Sequence, residues 1–550
     1  MSGLKHDRDD WYKDLVIYQI YPKSFQDTDG DGLGDLNGIY SRLEYIKELG
    51  VNAIWFSPVY ESPNYDNGYD ISDYRSINPQ FGTMEDFDRI VEEAHRLGIA
   101  VIMDLVVNHT SFEHRWFLES KKSKEGKYSD YYIWRDPVDG HEPNNWASCF
   151  GGSAWEYCAE RNQYYLHLFS PQQPDLNYES EDVVREVMDI IDWWLAKGVD
   201  GFRVDAISYM DKGDFSDSDN PVGVDGYTLD MDCLSNLKGT HNIIHLMRER
   251  FDRYNACSVG EVNILKDNDY LDYVSDDRKE FNMVIPFKVP IVEVNTWSPL
   301  KMKKEIINNY KLLKDKGWWA MFLSNHDKPR QVSLYGNDKD YRYESAKMLA
   351  ALMQTLPGTP FVFQGEEIGM TDVRYASMDA YNDLDMKNIY HSELLAGKSE
   401  AEAFEIAASV SRDNARTPMQ WDGSVNGGFS TGNPWLGVNP NYREINVENE
   451  KAKADSIFNF YKELISMRLS EECLRRGELE FSNVEDPHIF AYERKLEDKR
   501  FKIVANFSSE SETYELTDRG AWSIRMTNYS RTELADTLSL KPYEVVIMEN

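Results

Sequence analysis

The chain has 550 residues, 41% hydrophobic and 13% aromatic, which is enough apolar material for two or three buried cores. Its formal net charge of −35 argues against nucleic acid and anionic membrane as partners, since both would repel it. No segment approaches the ~18 apolar residues of a membrane span, and the apolar run near the N-terminus is broken by Asp9, Asp10 and Asp14, unlike a secretory leader.

Eight short apolar runs follow one another from about residue 15 to residue 370: 16–22, 53–60, 100–109, 201–207, 256–262, 281–287, 318–327 and 360–369. Amphipathic stretches such as "LNGIYSRLEYIKELG" and "MEDFDRIVEEAHRLG" lie between them, and each ends in glycine as helices tend to. Alternating strand and helix predicts a parallel sheet, and eight repeats predict a closed α/β barrel, the (β/α)8 TIM barrel. Residues 110–180, rich in Trp, Tyr, Gly and Asn, are too long for one helix and read as an irregular subdomain inserted after the third strand. A further insert spans roughly 371–415. Beyond about residue 480, pieces such as "IFAYER", "FKIVANFS", "TYELT" and "EVVIMEN" predict a small antiparallel β domain. The resulting division is 1–109 with 181–479 as barrel, 110–180 as insert and 480–550 as a C-terminal β-sandwich.

Several apolar runs turn polar at their C-terminal ends: Asn108-His109, Arg203 and Asp205, Glu261, Asn325-His326-Asp327, and Glu366-Glu367. That end of such a barrel is where active sites are built. Asp205 and Glu261 close the fourth and fifth runs, so they are neighbours on the rim. Two carboxylates facing one pocket are what glycosidic cleavage requires, one as acid and one as nucleophile. Arg203, two residues before Asp205, points to the same side and is expected to hold Asp205 ionised. Asp327 offers a third carboxylate for sugar hydroxyls, and His109 and His326 offer hydrogen bonds to them. No zinc-ligand spacing occurs.

The segment "DTDGDGLGD" places Asp27, Asp29 and Asp31 at alternate positions, with a backbone carbonyl at Leu33 and Asp35 beyond. This matches the opening of an oxygen-rich Ca2+ loop, but Gly38 stands where a sensor hand needs Glu, so a structural Ca2+ is expected. The five cysteines (Cys149, Cys158, Cys233, Cys257, Cys473) are scattered without a CxxC and read as reduced thiols of a cytoplasmic protein, monomeric or weakly self-associating.

Taken together, "VIYQIYPKSFQDTDGDGLGDLNGI", "SPVYESPNYDNGYDISDY", "DLVVNHTS", "GFRVDAI", "VGEV", "SNHDKPR", "QGEEIGMT" and "RDNARTPMQWD" resemble the α-amylase family of retaining glycoside hydrolases, closest to its oligo-1,6-glucosidase and α-glucosidase branch. The resemblance spans nearly the whole chain. It implies Asp205 as nucleophile, Glu261 as general acid/base and Asp327 as transition-state stabiliser. It also implies that His109, Arg203 and His326 bind the sugar beside the cleaved bond and that Tyr69 stacks on its ring. Asp66 and Arg416 would clamp the non-reducing glucose and so enforce exo cleavage of short oligosaccharides such as maltose or isomaltose. Relatives carry Ca2+ on the loop matching Asp27, Asp29, Asp31, Leu33 and Asp35.

In this branch a valine after the nucleophile accompanies α-1,6 activity, whereas this chain has Ala206, which implies α-1,4 or mixed specificity. The branch usually reads "NHDQPR", where this chain has Lys328. A phosphodisaccharide hydrolase of the trehalose-6-phosphate type and a sucrose isomerase are alternatives within the family. A non-catalytic relative, such as a transporter subunit, would have a membrane span and lack the carboxylates.

Overall fold

A computed structural model describes residues 4, 6, 8–286 and 297–550. Eight strands form one parallel sheet: β1 (Ile17–Ile20), β2 (Ala53–Phe56), β3 (Ala100–Val106), β4 (Gly201–Asp205), β5 (Cys257–Val262), β6 (Met283–Pro286), β7 (Ala320–Met321) and β8 (Thr359–Phe363). Their order is β6-β5-β4-β3-β2-β1-β8-β7, which curls the sheet into a nearly closed barrel. Seven of the strands fall within their predicted runs, and β8 begins one residue before its run, at Thr359; residue 287, the end of the sixth run, lies outside the described residues. Alternate side chains fill the interior, where Ile17, Ala53, Trp55, Ala100, Ile102, Val259, Met283 and Phe361 form one cluster stoppered by Trp11, Tyr12 and Leu15.

The predicted helix after β1 is two helices, α1 (Leu36–Ser41) and α2 (Leu43–Leu49). Arg42 leaves helical geometry between them and turns its guanidinium onto Gln26 Oε1 (2.6 Å) and over the Trp421 ring. Helix α3 (Met84–Arg96) starts with a reciprocal capping box between Thr83 and Asp86.

Residues 110–180 hold a short helix, Arg115–Ser120, and a three-stranded antiparallel sheet in the order Trp134–Arg135, Gln163–Leu166, Trp155–Cys158. The insert after β8 folds as helices Leu384–Leu395 and Glu400–Val410. At the C-terminus, β9 (Glu478–Ser482), β10 (Ile489–Leu496), β11 (Lys499–Asn506), β12 (Glu512–Glu515), β13 (Ser523–Thr527), β14 (Thr537–Leu540) and β15 (Val545–Glu549) pair antiparallel. Five of them form a sheet, β9-β10-β11-β15-β13, while β12 pairs β14, and Ile489, Val504, Tyr514, Leu538 and Val546 pack in one apolar cluster. The three strands that the sequence reading does not mark, β9, β13 and β14, are short and half exposed.

Two seams hold these parts in place. In the first, the loop after β1 is laced to a segment four hundred residues later. The Asp27 N–H donates to Phe429 O (3.0 Å), Met419 N–H to Ser24 O (2.8 Å) and Trp435 N–H to Gly32 O (3.0 Å). Gly32 has φ +95°, and a Cβ there would lie 1.9 Å from Asn433 O, so only glycine lets the two strands of the seam meet. The second seam joins barrel and C-terminal domain at two fully buried arginines: Arg494 of the β domain, which reaches into the barrel, and Arg468 of the barrel, whose charge acts on it. Arg468 donates to the carbonyls of Gln354, Leu356 and Gly358, and Arg494 to those of Thr355, Leu474 and Gly477.

The five cysteines are free thiols. No helix among the described residues is long and apolar enough to cross a membrane.

Candidate active site

Strand β4 carries Arg203 and Asp205 through fully buried surroundings. Gly201 opens the strand because a Cβ there would stand 2.3 Å from Cys257 O on β5; the close approach sets Asp205 beside Glu261. Arg203 is gripped by three carboxylates: Asp104 Oδ1 at 2.7 Å, Asp205 Oδ1 at 2.6 Å and Glu261 Oε1 at 2.5 Å. Ala206, directly after Asp205, is held at φ +46°, a left-handed conformation costing about 1–2 kcal/mol for a residue with a Cβ. That turn aims its N–H at Glu261 Oε2 (3.1 Å).

One cation cannot neutralise three buried acids, so a proton belongs to the group. Burial pushes Glu261 up to about 8, and Asp205 and Asp327 add to the effect against the pull of Arg203. Burial also raises Asp205, with Asp104 adding to it, although Arg203 opposes both. Arg203 acts in the direction expected of it, favouring the ionised form, but desolvation outweighs the ion pair and the net shift is upward. Asp327 behaves oppositely. Burial disfavours its charge, but His326, Arg416 and Arg412 hold it well below the usual range. Burial keeps His326 itself neutral down to about 3, so at neutral pH the arginines carry that attraction. The closest contact is Arg416 Nη2 to Asp327 Oδ1 at 2.7 Å.

Asp205, Glu261 and Asp327 line one cavity of about 320 Å3, together with Asp66, Tyr69, His109, Phe150, Phe169, Gln173, Lys328 and Arg412. That is the small end of the range for ligand pockets, about 300–1,000 Å3. Tyr69 donates to Asp104 Oδ2 (3.0 Å) and stacks on the His326 ring with centroids 5.5 Å apart. His109 sits against the Tyr69 carbonyl (3.0 Å) and Gln173 Nε2 (3.1 Å). Arg203 and His326 lie just behind the lining, fully buried. The structure therefore brings Asp66, Tyr69, His109, Arg203, Asp205, Glu261, His326 and Asp327 together at the C-terminal mouth of the barrel.

Arg416 is placed differently from expectation. It is buried behind Asp327 and donates to His326 O (2.9 Å), so it braces the wall. Arg412, the first residue of "RDNARTPMQWD", lines the cavity instead, with Nη2 3.5 Å from Asp66 Oδ1. Both of those atoms are buried without a hydrogen-bond partner. The sequence reading also passes over Asp104, Gln173 and Arg412. Asp104 carried a signal: it is a carboxylate in the middle of the apolar run 100–109.

At the metal loop, Asp27, Asp29 and Asp35 bring carboxylate oxygens within 4.8 Å of one another, a set a divalent cation fits. Asp31 is turned away and accepts from the Leu33 N–H (2.7 Å). Asp27 is already a firm anion: burial opposes its charge, but donors from Ser430, Gly30 and Gly32 bring it below the usual range. Asp35 also caps α1, accepting from the Gly38 N–H.

A protonated carboxyl beside a second acid, with an anionic carboxylate across the same cavity at a barrel mouth, defines a glycoside-cleaving site. Comparison with known proteins agrees. The "Alpha amylase, catalytic domain" family matches residues 19–477, and the "Alpha-amylase SusG C-terminal domain" matches 489–547. The chain is 44% identical to an oligo-1,6-glucosidase of Parageobacillus thermoglucosidasius, over 97% of this chain and 98% of the relative. Among solved structures, it superposes on the trehalose-6-phosphate hydrolase of Bacillus licheniformis with a TM-score of 0.90 and 42% identity, covering 98% and 99% of the two chains. It also superposes on the trehalulose synthase of Pseudomonas mesoacidophila MX-45 with a TM-score of 0.90 and 38% identity, again covering 98% and 99%. The chain belongs to the α-amylase family of glycoside hydrolases.

Proposed function

We propose that the protein is an exo-acting α-glucosidase that releases terminal α-linked glucose from short oligosaccharides with retention of configuration. Glu261, protonated at neutral pH, gives its proton to the glycosidic oxygen while Asp205 attacks the anomeric carbon. Water then enters with Glu261 as base and releases glucose. Asp327 stays anionic and binds sugar hydroxyls that tighten as the ring flattens. The observation that carries the exo reading is the ion pair Asp66 Oδ1 and Arg412 Nη2, buried, 3.5 Å apart and each without a hydrogen-bond partner. Buried polar atoms left unpaired cost about 1–3 kcal/mol each, and the hydroxyls of a terminal glucose would satisfy both.

Glucose release from maltose, isomaltose, sucrose, trehalose 6-phosphate and p-nitrophenyl α-glucoside tests the assignment. Asp205→Asn is expected to lower turnover on every substrate by at least about a thousandfold with the fold intact; full activity would overturn it. Ala206 supports α-1,4 or mixed specificity, and fastest release from isomaltose would refute that preference. The phosphodisaccharide reading has one observation in its favour: Lys328 lines the cavity and forms no salt bridge with another described residue.

The Asp27, Asp29 and Asp35 cluster supports a structural Ca2+, which would screen their mutual repulsion and fix the loop after β1. A Tm that rises on adding Ca2+ to chelator-treated protein supports this, and an unchanged Tm refutes it. Five free thiols support a cytoplasmic location.

A further inference from the structure

Strand β1 carries one amide, Gln19, through fully buried surroundings. Gln19 is 1% exposed, and its register neighbours are Trp55 on β2 and Phe363 on β8. A buried amide needs a hydrogen-bond partner, and Gln19 Nε2 meets His326 Nδ1 at 2.8 Å. The ring is held on its other sides as well. His326 Nε2 stands 2.6 Å from the Tyr69 hydroxyl and 3.1 Å from Asp327 Oδ2. Tyr21 lies against one face with centroids 5.9 Å apart, and Trp55 meets the ring edge-on.

His326 is neutral at pH 7, so the ring has one proton, and its neighbours decide which nitrogen carries it. Tyr69 commits its own proton to Asp104 Oδ2 (3.0 Å), so its oxygen accepts from His326. The Asp327 carboxylate is an acceptor too. Both place the proton on Nε2, which leaves Nδ1 bare and facing the Gln19 amide. Donation then runs one way, from Gln19 to His326 to Tyr69 to Asp104. Were Gln19 to turn its Oε1 to the ring, the proton would move to Nδ1 and a bare Nε2 would face the Asp327 anion.

We infer that Gln19 is a positioning residue for the reaction: its amide N–H holds His326 in the Nε2–H tautomer, and His326 in turn pins Asp327. Arg416 holds Oδ1 of that carboxylate at 2.7 Å and His326 holds Oδ2, so both oxygens are fixed before a sugar arrives. The kinetic consequence rests on the α-glucosidase reading; the tautomer does not.

Long-range 1H–15N spectra of protein labelled with 15N-histidine test the tautomer directly, with His326 assigned by the signals missing from His326→Asn. A proton on Nε2 and a bare, hydrogen-bonded Nδ1 are expected at pH 7. Gln19→Met is close in volume but has no donor, so its Nδ1 signal should move toward that of an unbonded nitrogen. Because Asp327 acts most in the transition state, kcat for p-nitrophenyl α-glucoside should fall about tenfold in that variant while KM changes less than about threefold. A proton on Nδ1 of the unaltered protein would overturn the inference, and so would a kcat for Gln19→Met within about twofold of the unaltered protein. The spectrum of the unaltered protein decides even if the variant fails to fold. Absence of glucose release by the unaltered protein would overturn the α-glucosidase reading alone.

Discussion

The active site and the domain junction each bury arginine completely, and they do opposite things with it. At the mouth of the barrel, burial works against the charge of Arg203, but Asp104, Glu261 and Asp205 outweigh it and hold its proton more tightly than in water. At the junction, Arg468 and Arg494 see only carbonyl oxygens. Burial and mutual repulsion push Arg468 down to about 9, and burial pushes Arg494 down to about 10. Carbonyl dipoles fix where a guanidinium lies and so hold two domains in register, but they have no proton to trade. Carboxylates surrounding the same group do, and that excess of negative charge leaves Glu261 protonated. Position is what the junction obtains from its arginines, and acid–base chemistry is what the mouth obtains.

If the contrast is right, Arg203→Gln has the largest effect. It strands three buried acids, so kcat is expected to fall by about a thousandfold and stability by about 3–5 kcal/mol. Arg203→Lys should rescue little, because an ammonium cannot bridge three carboxylates in a plane. Activity retained in either variant would break the contrast. Next comes pH. Glu261 must be protonated to act as acid, so kcat/KM should fall about tenfold per unit as pH rises above about 8; a fall that sets in near the ordinary carboxylate range, about pH 4–5, would show that the carboxylates around Arg203 do not retain the proton. Arg468→Met should part from Arg203→Gln in its effect on catalysis alone. Its carbonyls lose their donors, lowering stability by about 2–4 kcal/mol and Tm by roughly 2–4 °C, while kcat of the folded protein stays within about twofold. Smallest is Ala206→Gly. Relief of the left-handed strain should raise stability by no more than about 1 kcal/mol, and a looser hold on Glu261 should cost a few-fold in kcat.

The contrast also marks how far the sequence was legible. Strands showed as apolar runs because both faces of a barrel strand are buried, and the acids showed because they interrupt or end those runs. Asp104 was missed because nothing in one strand tells which buried carboxylate shares a cation with the next. Arg412 and Arg416 could not be ordered from the sequence: four residues apart on one short turn of helix, they present similar faces, and only the fold puts one in front of Asp327 and the other behind it. The net direction of the Asp205 shift could not be read for a related reason. A neighbouring charge can be read from spacing, but desolvation depends on everything packed around it. In the C-terminal domain, β13 (SIRMT) and β14 (TLSL) do alternate apolar and polar residues, but over five and four residues only, too short a stretch to stand out in the sequence.

The lacing of Asp27, Ser24 and Gly32 to Phe429, Met419 and Trp435 has a bearing on how the protein is made. Asp205 and Glu261 are made before Arg412, Arg416 and the segment that fastens the first loop, which follow more than a hundred and fifty residues later. A growing chain that has not passed residue 435 therefore holds its acids without the wall and the lacing that complete their pocket, and hydrolysis is expected only after both have been made.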